Sequence, residues 1–246
     1  MKLFLQPSKL VGLVLILGST LLFAADENGF KSLFNGKDLT GWDGNLELWS
    51  VRDGALTGQT TAEKPTKGNT FIFWRDGLVD DFELRLSYRL IGNNPDKWGN
   101  SGVQYRSVDK GNWVASGYQA DIETGTDYSG IMYEEGGRGI LALRGQQVVV
   151  GNDGKPKVIG SLGKSEDIQA AIKSEDWNEY TIIARGFHLI HKINGRTTME
   201  LTDEDVAKRM RSGILALQLH AGKPMTVQFK DIRLKRLPMA DVKEKQ

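Results

Sequence analysis

Cysteine is absent from this sequence of 246 residues, and histidine occurs only three times. A chain without cysteine forms no disulfide, has no thiol nucleophile and offers no thiolate ligand for zinc. Neither sign of charge is in clear excess, because 32 lysines and arginines stand against 31 acidic residues. A chain without a basic excess is poorly suited to a phosphate backbone, so nucleic acid is not an expected partner.

The sequence also lacks a hydrophobic run that would span a membrane comfortably, which takes about 20 residues. The longest run lies between Leu10 and Ala25, is interrupted at residues 18–20, follows Lys2 and Lys9, and ends in small residues. This layout predicts a secretory signal peptide over residues 1–25, with an uncleaved anchor as the alternative. We expect export to the periplasm or the cell exterior, and a mature chain with no membrane span.

Residues 26–238 predict one β domain, and residues 239–246 a flexible tail. Glycine occurs 29 times and mostly separates short runs in which apolar and polar residues alternate. Such runs are typical of half-buried strands. The predicted strands lie within Trp49–Gly58, Phe82–Tyr88, Ser101–Ser107, Gly117–Glu123, Tyr180–Ala184, Phe187–Ile193, Gly213–His220 and Met225–Leu234.

Local signals add turns, a bulge and two short helices. Asp53-Gly54 and Asn194-Gly195 are hairpin turn signals, and a shift of the apolar pattern near Lys230-Asp231 predicts a β-bulge. Thr202 predicts an N-cap for a helix that ends at Gly213, and a single helical turn is predicted over residues 167–172. Regularly spaced strands with glycine turns are typical of an all-β sandwich.

Polar side chains share one face on three of the predicted strands. These sets are Gln104/Arg106, Gln119/Asp121/Glu123 and Gln218/His220. Exposure to solvent would explain any single set. Amides, arginine and histidine together, however, are the groups that hydrogen-bond sugar hydroxyls. If the strands are neighbours, the sequence predicts a carbohydrate site on this face.

The spacing of Gln119, Asp121 and Glu123 is similar to that in jelly-roll β-glucanases, where two glutamates flank an aspartate on one strand face. Retaining hydrolysis needs a carboxylate nucleophile and an acid on either side of the bond. Gln119 takes the first position, and an amide cannot serve as that nucleophile. The strand therefore does not favour ordinary retaining hydrolysis.

A second dense polar cluster is the glycine-rich stretch "YEEGGRG", which starts at Tyr133 and contains Glu134, Glu135 and Arg138. A charged surface hairpin is the alternative interpretation, because glycine-rich turns are commonly solvated.

The histidines do not predict a metal site. His188 and His191 fall on opposite faces of one strand, so they cannot share an ion from that strand alone. His220 ends a strand, where sites often open, although a lone histidine is more often structural. Three tryptophans are candidates either for the core or for stacking on a sugar ring, namely Trp42, Trp49 and Trp74.

Six stretches form an ordered set along nearly the whole chain after the leader. They are "LFNGKDLTGW" from Leu33, "NSGVQYRS" from Asn100, "GYQADI" from Gly117, "WNEYTIIARG" from Trp177, "HKINGR" from His191 and "VQFKDIRLKRL" from Val227. This set resembles the 3-keto-disaccharide hydrolase domain family. The resemblance implies a concanavalin A-like jelly-roll β-sandwich of two antiparallel sheets, and cleavage of glycosides already oxidised to a ketone at C3. Many members of that family carry glutamate where this chain has Gln119.

The implied chemistry needs no carboxylate nucleophile. A C3 ketone acidifies the C2 proton, so a base can remove it, the enolate expels the aglycone from C1, and water adds afterwards. The step needs one base, an electrophile for the enolate oxygen and an acid for the leaving oxygen. We predict Asp121 as the base, with His220 as the alternative, and Glu134 or Glu135 as the acid. The predicted substrate-binding residues are Gln104, Arg106, Gln119, Tyr133, Arg138 and Gln218.

The expected partner is an oligosaccharide or glycoside substrate. No cofactor is expected; a carboxylate-rich loop could hold Ca²⁺, but the sequence has no EF-hand-like spacing. A non-catalytic, lectin-like glycan-binding module would use the same sandwich and the same polar faces, so it stays the alternative function.

Overall fold

The computed structural model describes residues 28–240. The predicted signal peptide and most of the predicted tail lie outside these residues. Within residues 28–240, no helix is both long enough and apolar enough to cross a membrane.

Strands dominate the described part of the chain. They are β1 (Lys31–Ser32), β2 (Trp42–Asp43), β3 (Trp49–Arg52), β4 (Ala55–Thr60), β5 (Thr70–Val79), β6 (Phe82–Gly92), β7 (Asn100–Asp109), β8 (Ala115–Glu123), β9 (Met132–Glu135), β10 (Gly139–Ala142), β11 (Gln146–Val150), β12 (Pro156–Ser161), β13 (Asn178–Arg185), β14 (His188–Ile193), β15 (Arg196–Asp203), β16 (Gly213–Leu219) and β17 (Met225–Arg236). The helix α1 spans Ser165–Gln169.

The strands form two sheets that pack face to face. The ten-stranded sheet has the order β12-β11-β15-β14-β13-β6-β17-β4-β3, with β1 also paired to β17. The seven-stranded sheet has the order β10-β9-β8-β7-β16-β5-β2. Among these pairs, β11 and β15 run parallel and the others antiparallel. This is the jelly-roll sandwich that the sequence predicts.

The inner faces of the two sheets enclose one hydrophobic core. In β6, Phe82, Leu84 and Leu86 are buried while the residues between them are partly exposed, which is the alternation expected of a strand with one face in the core. The sequence left either a core position or sugar stacking open for three tryptophans. All three belong to this core, namely Trp42, Trp49 and Trp74. They stabilise the sandwich and do not form a sugar-stacking surface.

The predicted turns and bulge are confirmed. Asp53-Gly54 joins β3 to β4 and Asn194-Gly195 joins β14 to β15, and all four residues have positive φ. Both central residues of a type I′ turn need that conformation, which asparagine, aspartate and glycine tolerate best. In β17 the register with β6 shifts after Lys230, and Asp231 has a φ of 52°.

The predicted helix between Thr202 and Gly213 is wrong. Thr202 lies in β15 opposite His188, and the residues after this strand form a single turn. Two acidic residues of the segment, Asp203 and Asp205, bind Arg138 instead of capping a helix. A buried contact from a distant part of the chain thus overrides the local capping pattern.

The second predicted helical segment is confirmed, with shifted bounds. Residues 167–172 were expected to form one turn, whereas α1 begins at Ser165 and ends at Gln169, followed by two turn-type backbone hydrogen bonds. Glu166 and Asp167 lie in its first turn, where acidic side chains interact favourably with the helix dipole.

Candidate functional site

The outer face of the seven-stranded sheet brings together the polar sets predicted on separate strands. In the pairing of β7 with β8, Gln104 lies opposite Gln119 and Gly102 lies opposite Asp121. β16 pairs with the other edge of β7, where Ala216 lies opposite Gln104. The three strands are therefore neighbours, which is the condition that the sequence argument set for a site.

Gln119 is at the centre of a buried amide network. Its Oε1 accepts hydrogen bonds from Gln104 Nε2 at 2.9 Å and from Gln218 Nε2 at 3.0 Å. Its Nε2 donates to Asp121 Oδ1 at 3.0 Å. The hydroxyl of Ser107 in turn donates to Gln104 Oε1 at 2.6 Å. Because two N–H donors point at Oε1, the orientation of the Gln119 amide is fixed with its NH₂ toward Asp121.

Gly102 makes room for this arrangement. A Cβ at this position would lie 2.6 Å from Cγ and Cδ of Gln119, closer than non-bonded carbon atoms approach. The Gln119 side chain can therefore lie across β7 only because residue 102 has no side chain.

A cleft of about 240 Å³ opens beside this network. Ten residues line it: Asn69, Asn100, Gln119, Asp121, Tyr128, Ile131, Tyr133, Glu135, Ile140 and His220. The volume lies below the usual range of about 300–1,000 Å³ for small-molecule pockets, so the cleft suits only a small ligand group. Four predicted site residues apart from the amides meet here, namely Asp121, Tyr133, Glu135 and His220.

Asp121 is the most perturbed carboxyl of the cleft. Burial raises its pKa to about 8, and the negative charges of Glu123 and Glu135 act in the same direction. Hydrogen bonds from Gln119 and from the backbone of Ile122 oppose the shift without cancelling it. At neutral pH the group therefore carries its proton most of the time, and such perturbed groups concentrate at functional sites.

Glu135 accepts hydrogen bonds from two side-chain amides, one in the loop before β5 and one in β16. Asn69 Nδ2 lies 3.3 and 3.4 Å from its two carboxylate oxygens, and Gln218 Nε2 donates to Oε2 at 3.2 Å. Tyr133, two residues earlier in β9, shares its face, and the pKa of the Tyr133 phenol is raised by burial and by the charges of Glu135 and Asp121. The cleft thus contains two carboxyl groups.

His220 lies at the end of β16 with a defined tautomer. Its Nδ1 is in hydrogen-bond distance of the Ala221 carbonyl oxygen, and its ring packs edge-on against Trp98 with centroids 5.5 Å apart. A carbonyl oxygen can only accept, so Nδ1 carries the hydrogen and Nε2 of the neutral ring keeps its lone pair.

Arg106 does not reach this site, and its predicted place beside Gln104 is wrong. The register of β7 and β8 shifts between Tyr105 and Val108, and Arg106 has a φ of 48°. This bulge turns the side chain into the protein, where it is fully buried. There the guanidinium donates to Asp81 at 2.8 Å and to the carbonyl oxygens of Asp80 and Gly186. Its role is structural.

Glu134 and Arg138 are also removed from the cleft. Glu134 alternates with Tyr133 and Glu135 along β9, so it points to the inner face. Arg138 binds Glu134 at 2.6 Å, Asp203 at 2.6 Å and Asp205 at 3.2 Å. Glu134, Asp203 and Asp205 are buried and the Arg138 side chain is only 6% exposed, and Tyr118 donates to Asp203 from the core side. Between the predicted acids Glu134 and Glu135, the structure thus brings only Glu135 into the cleft.

The carboxylate of Glu123 is hydrogen-bonded within a loop and has a structural role. Its Oε1 accepts the backbone N–H groups of Asp127 and Tyr128, which closes the loop after β8. Arg144 supports the same loop through the carbonyl oxygens of Thr126 and Ser129. This loop leads to Tyr128 and Ile131, which form one wall of the cleft.

Sequence reasoning missed five residues that line the cleft. Asn69 and Asn100 precede or begin strands, and Tyr128, Ile131 and Ile140 come from loops or a strand edge. The Asn100 stretch is part of the conspicuous "NSGVQYRS" motif, which was the one available signal. The others carry no local pattern, because their position depends on how distant strands meet.

The described residues contain no group of three or more His, Asp or Glu side chains arranged to hold a metal ion. His191 is fully buried and bonded to Tyr105 and the Ile131 carbonyl, whereas His188 is exposed, in line with their predicted opposite faces. Burial lowers the pKa of His191 to about 3, so this ring is neutral at physiological pH.

Comparison with known proteins places the chain among carbohydrate-related folds. A sequence profile of the family described as the 3-keto-alpha-glucoside-1,2-lyase-like domain matches residues 29–235. A proposed glycosyl hydrolase from Parabacteroides distasonis ATCC 8503 has a similar structure, with a TM-score of 0.56 and 20% identity over 85% of this chain and 99% of its own. A second one from that organism has a TM-score of 0.55 and 18% identity, covering 86% and 95%.

A protein of unknown function with a galectin-like fold from Bacillus subtilis is similar as well, with a TM-score of 0.51 and 10% identity over 82% of this chain and 92% of its own. At these identities the likeness concerns the fold. A search of curated proteins finds no match.

Proposed function

The chain belongs to the family of 3-keto-alpha-glucoside-1,2-lyase-like domains, a carbohydrate-active family, and from this premise we propose that it cleaves glycosides that carry a ketone at C3. The observation that carries the proposal is the cleft on the outer face of the seven-stranded sheet. It combines a buried carboxyl of raised pKa and an imidazole with a free lone pair. Beside them lie the hydrogen-bonded amides of Gln104, Gln119 and Gln218, which we call the amide floor.

The amide floor supports a sugar as the ligand. Sugar hydroxyls both donate and accept hydrogen bonds, and side-chain amides offer both functions in one plane. Three amide side chains line the cleft itself, where a sugar hydroxyl can reach them, namely Asn69, Asn100 and Gln119.

The reaction we propose is an elimination followed by hydration. A base takes the proton from C2, the C–H electron pair forms the enolate of the C3 ketone, and the C1–O bond then breaks. The aglycone oxygen takes a proton as it leaves, and water later adds its hydroxyl to C1 and a proton to C2. Asp121 and His220 are the two candidates for the base, and Glu135 is the candidate acid for the leaving oxygen.

Two other functions are compatible with parts of the site. The cleft contains two carboxyl groups, Asp121 and Glu135, and a pair of carboxyls is what an ordinary glycosidase needs. A glycan-binding module would use the amide floor without any turnover. Each alternative differs from the proposal in a directly measurable way.

The test is a matched pair of substrates. The purified protein is incubated with a 3-keto-glucoside and with the unoxidised glucoside of the same aglycone, and aglycone release is followed. We expect release from the 3-keto compound alone, because only the ketone acidifies C2. Equal release from both substrates would favour carboxylate hydrolysis, and binding without release from either would favour the glycan-binding module.

We also propose that the protein is exported, since residues 1–25 have the layout of a signal peptide. N-terminal sequencing of the protein from the periplasmic fraction should begin near Asp26. Intact Met1 in the membrane fraction would instead support an anchor.

A further inference from the structure

We infer that the two candidate bases have different roles: His220 removes the C2 proton, and Asp121 acts as a neutral acid that donates a hydrogen bond to the C3 keto oxygen. This inference rests on the proposed function and deepens it. It replaces the sequence-based prediction that Asp121 is the base.

The cleft has no positively charged side chain in its lining. Removal of the C2 proton places negative charge on the keto oxygen, and that charge needs a donor or a cation. None of the ten cleft-lining residues is a lysine or an arginine. Arg106, which the sequence predicts to bind substrate, is bound to Asp81 inside the sandwich. Since the lining offers no cationic side chain, we assign the oxygen to a neutral donor of the cleft.

The hydrogen bonds around Asp121 distinguish its two carboxyl oxygens. Gln119 Nε2 donates to Oδ1 of Asp121. The Gln119 amide cannot flip, because Gln104 and Gln218 both donate to its oxygen. Oδ1 is thereby fixed as an acceptor. Among the described residues, no side chain donates to Oδ2, and the backbone N–H of Ile122 is a further donor to the carboxyl. Since Gln119 already occupies Oδ1, we assign the carboxyl hydrogen to Oδ2. The cleft is lined by Asp121, so a hydrogen on Oδ2 is available to a ligand.

The ionisable groups that interact with Asp121 are mostly acids and phenols. Glu123 of its own strand and Glu135 of β9 are acidic, and Tyr133 and Tyr180 add phenols. His220 is the ionisable group from β16 that lines the same cleft. Among the described residues, no arginine or lysine forms an ion pair with Asp121, so burial favours the protonated form and raises the pKa to about 8. A carboxylic acid kept neutral in this way can donate a hydrogen bond at pH 7.

The tautomer of His220 leaves one ring nitrogen available to a substrate. Because Nδ1 donates to the Ala221 carbonyl, Nε2 is the basic atom of the ring. Within residues 28–240 no group is hydrogen-bonded to Nε2. Imidazole is also well suited to a proton transfer near neutral pH.

The step balances within these two groups and the substrate. His220 Nε2 takes the C2 proton and becomes an imidazolium, and the C–H electron pair becomes the C2–C3 double bond of the enolate. The enolate oxygen is held by the O–H of Asp121. As the enolate re-forms the C3 ketone, the C2–C3 electron pair becomes a C1–C2 double bond and the C1–O bond breaks. The aglycone oxygen keeps the electron pair of that bond and takes the proton from the imidazolium, which returns His220 to its starting form.

The test compares Asp121→Asn with Asp121→Ala on a 3-keto-glucoside. Asparagine keeps an N–H donor at the position of the carboxyl hydrogen, whereas alanine removes it. We expect Asp121→Asn to lose less than about tenfold in kcat and Asp121→Ala to lose on the order of 10²–10³-fold, the usual effect of deleting one oxyanion donor. Equal losses of about 10²–10⁴-fold in both variants would overturn the inference, because that is the pattern of a deleted base.

The pH profile gives a second readout, independent of how well each variant folds. The wild-type rate should fall as pH rises through about 8, where Asp121 loses its hydrogen. In Asp121→Asn this alkaline limb should disappear, because asparagine does not ionise. A wild-type rate that increases through pH 8 would contradict the assigned roles, since a base gains activity as it deprotonates.

His220→Gln completes the design. This variant should lose about 10²–10⁴-fold in kcat while its thermal unfolding and its affinity for the unreactive glucoside stay close to wild type. Full activity of His220→Gln would overturn the inference. If the wild-type protein turns over no 3-keto glycoside at all, the proposed function fails instead, and the two failures are thereby distinguished.

Discussion

Acidic residues occupy two contrasting regions of this molecule. Inside the sandwich, Asp81 faces Arg106 and Arg211, and Glu134, Asp203 and Asp205 surround Arg138. On the outer face of the seven-stranded sheet, Asp121 and Glu135 are held by amides alone. The residue types are the same in both regions, but the counter-charge is present in one and missing in the other.

The difference in counter-charge separates structural from functional roles. A buried carboxylate that is paired with arginine stays ionised and ties distant segments together, at the cost of its desolvation. A buried carboxyl without a cation holds its proton more tightly and so becomes available for proton transfer or hydrogen-bond donation. Four experiments test this comparison.

The largest effect should come from breaking an internal pair with Asp81→Ala. Arg106 would then be left as an uncompensated charge in a fully buried position, which typically costs about 3–5 kcal/mol of unfolding free energy. Urea denaturation measures the loss. The control is Asp80→Ala, whose pair with Arg236 is half exposed and should contribute about 0–1 kcal/mol. Similar losses in both variants would refute the special role of the internal pair.

The second experiment concerns the stability cost of Asp121. Its folded pKa of about 8 exceeds the ordinary value of 3.8. Between these values the folded protein binds a proton that the unfolded chain releases, so the carboxyl destabilises the fold increasingly from about pH 4 to pH 8. Asp121→Asn should therefore be more stable than wild type by a few kcal/mol at pH 9, and the gain should vanish near pH 4. A gain that does not depend on pH would contradict the raised pKa.

The third experiment disturbs the amide floor through Gly102→Ala. The new Cβ would lie 2.6 Å from the Gln119 side chain and displace it from Asp121. We expect a loss of about 1–3 kcal/mol of unfolding free energy, as is usual for overpacking. The alkaline limb of the pH profile should also move to higher pH, because the hydrogen bond from Gln119 lowers the pKa of Asp121. Gly68→Ala is the matched control, because a Cβ at residue 68 has no neighbour within 4 Å. Unchanged stability and an unchanged profile in Gly102→Ala would mean that Gln119 does not orient Asp121.

The smallest expected effect comes from the charge of the substrate. The cleft has carboxyls and no lining cation, so an anionic sugar should bind less well than a neutral one. A substrate carboxylate about 10 Å from the ionised form of Glu135 would cost about 1.7 kcal/mol at an effective dielectric near 20, or more than tenfold in kcat/KM. The comparison is a 3-keto-glucuronide against the 3-keto-glucoside at low salt. Equal kcat/KM for the two would contradict the charge assigned to the cleft.

Alternation along single strands found three of the ten residues that line the cleft, namely Gln119, Asp121 and His220. It placed Gln119 and Asp121 on one face, and the parity of β16 placed Gln218 and His220 together. It failed at Arg106, because a bulge with a positive φ reverses the face of one residue and no local signal announces it. It also left Glu134 and Glu135 as equal candidates, although adjacent residues of a strand must point to opposite faces.

The amino-acid sequence by itself determined the architecture of this protein. Short alternating strands, Asp-Gly and Asn-Gly turns and the family motifs define an all-β jelly-roll, because these signals act between residues close in the chain. Only the tertiary structure decided which charged residues meet an arginine and which remain without a cation. The physical reason is that a counter-charge comes from a segment distant in sequence, as Arg138 of the turn before β10 does for Asp203. Alternation along one strand contains no information about which distant segment lies beside it.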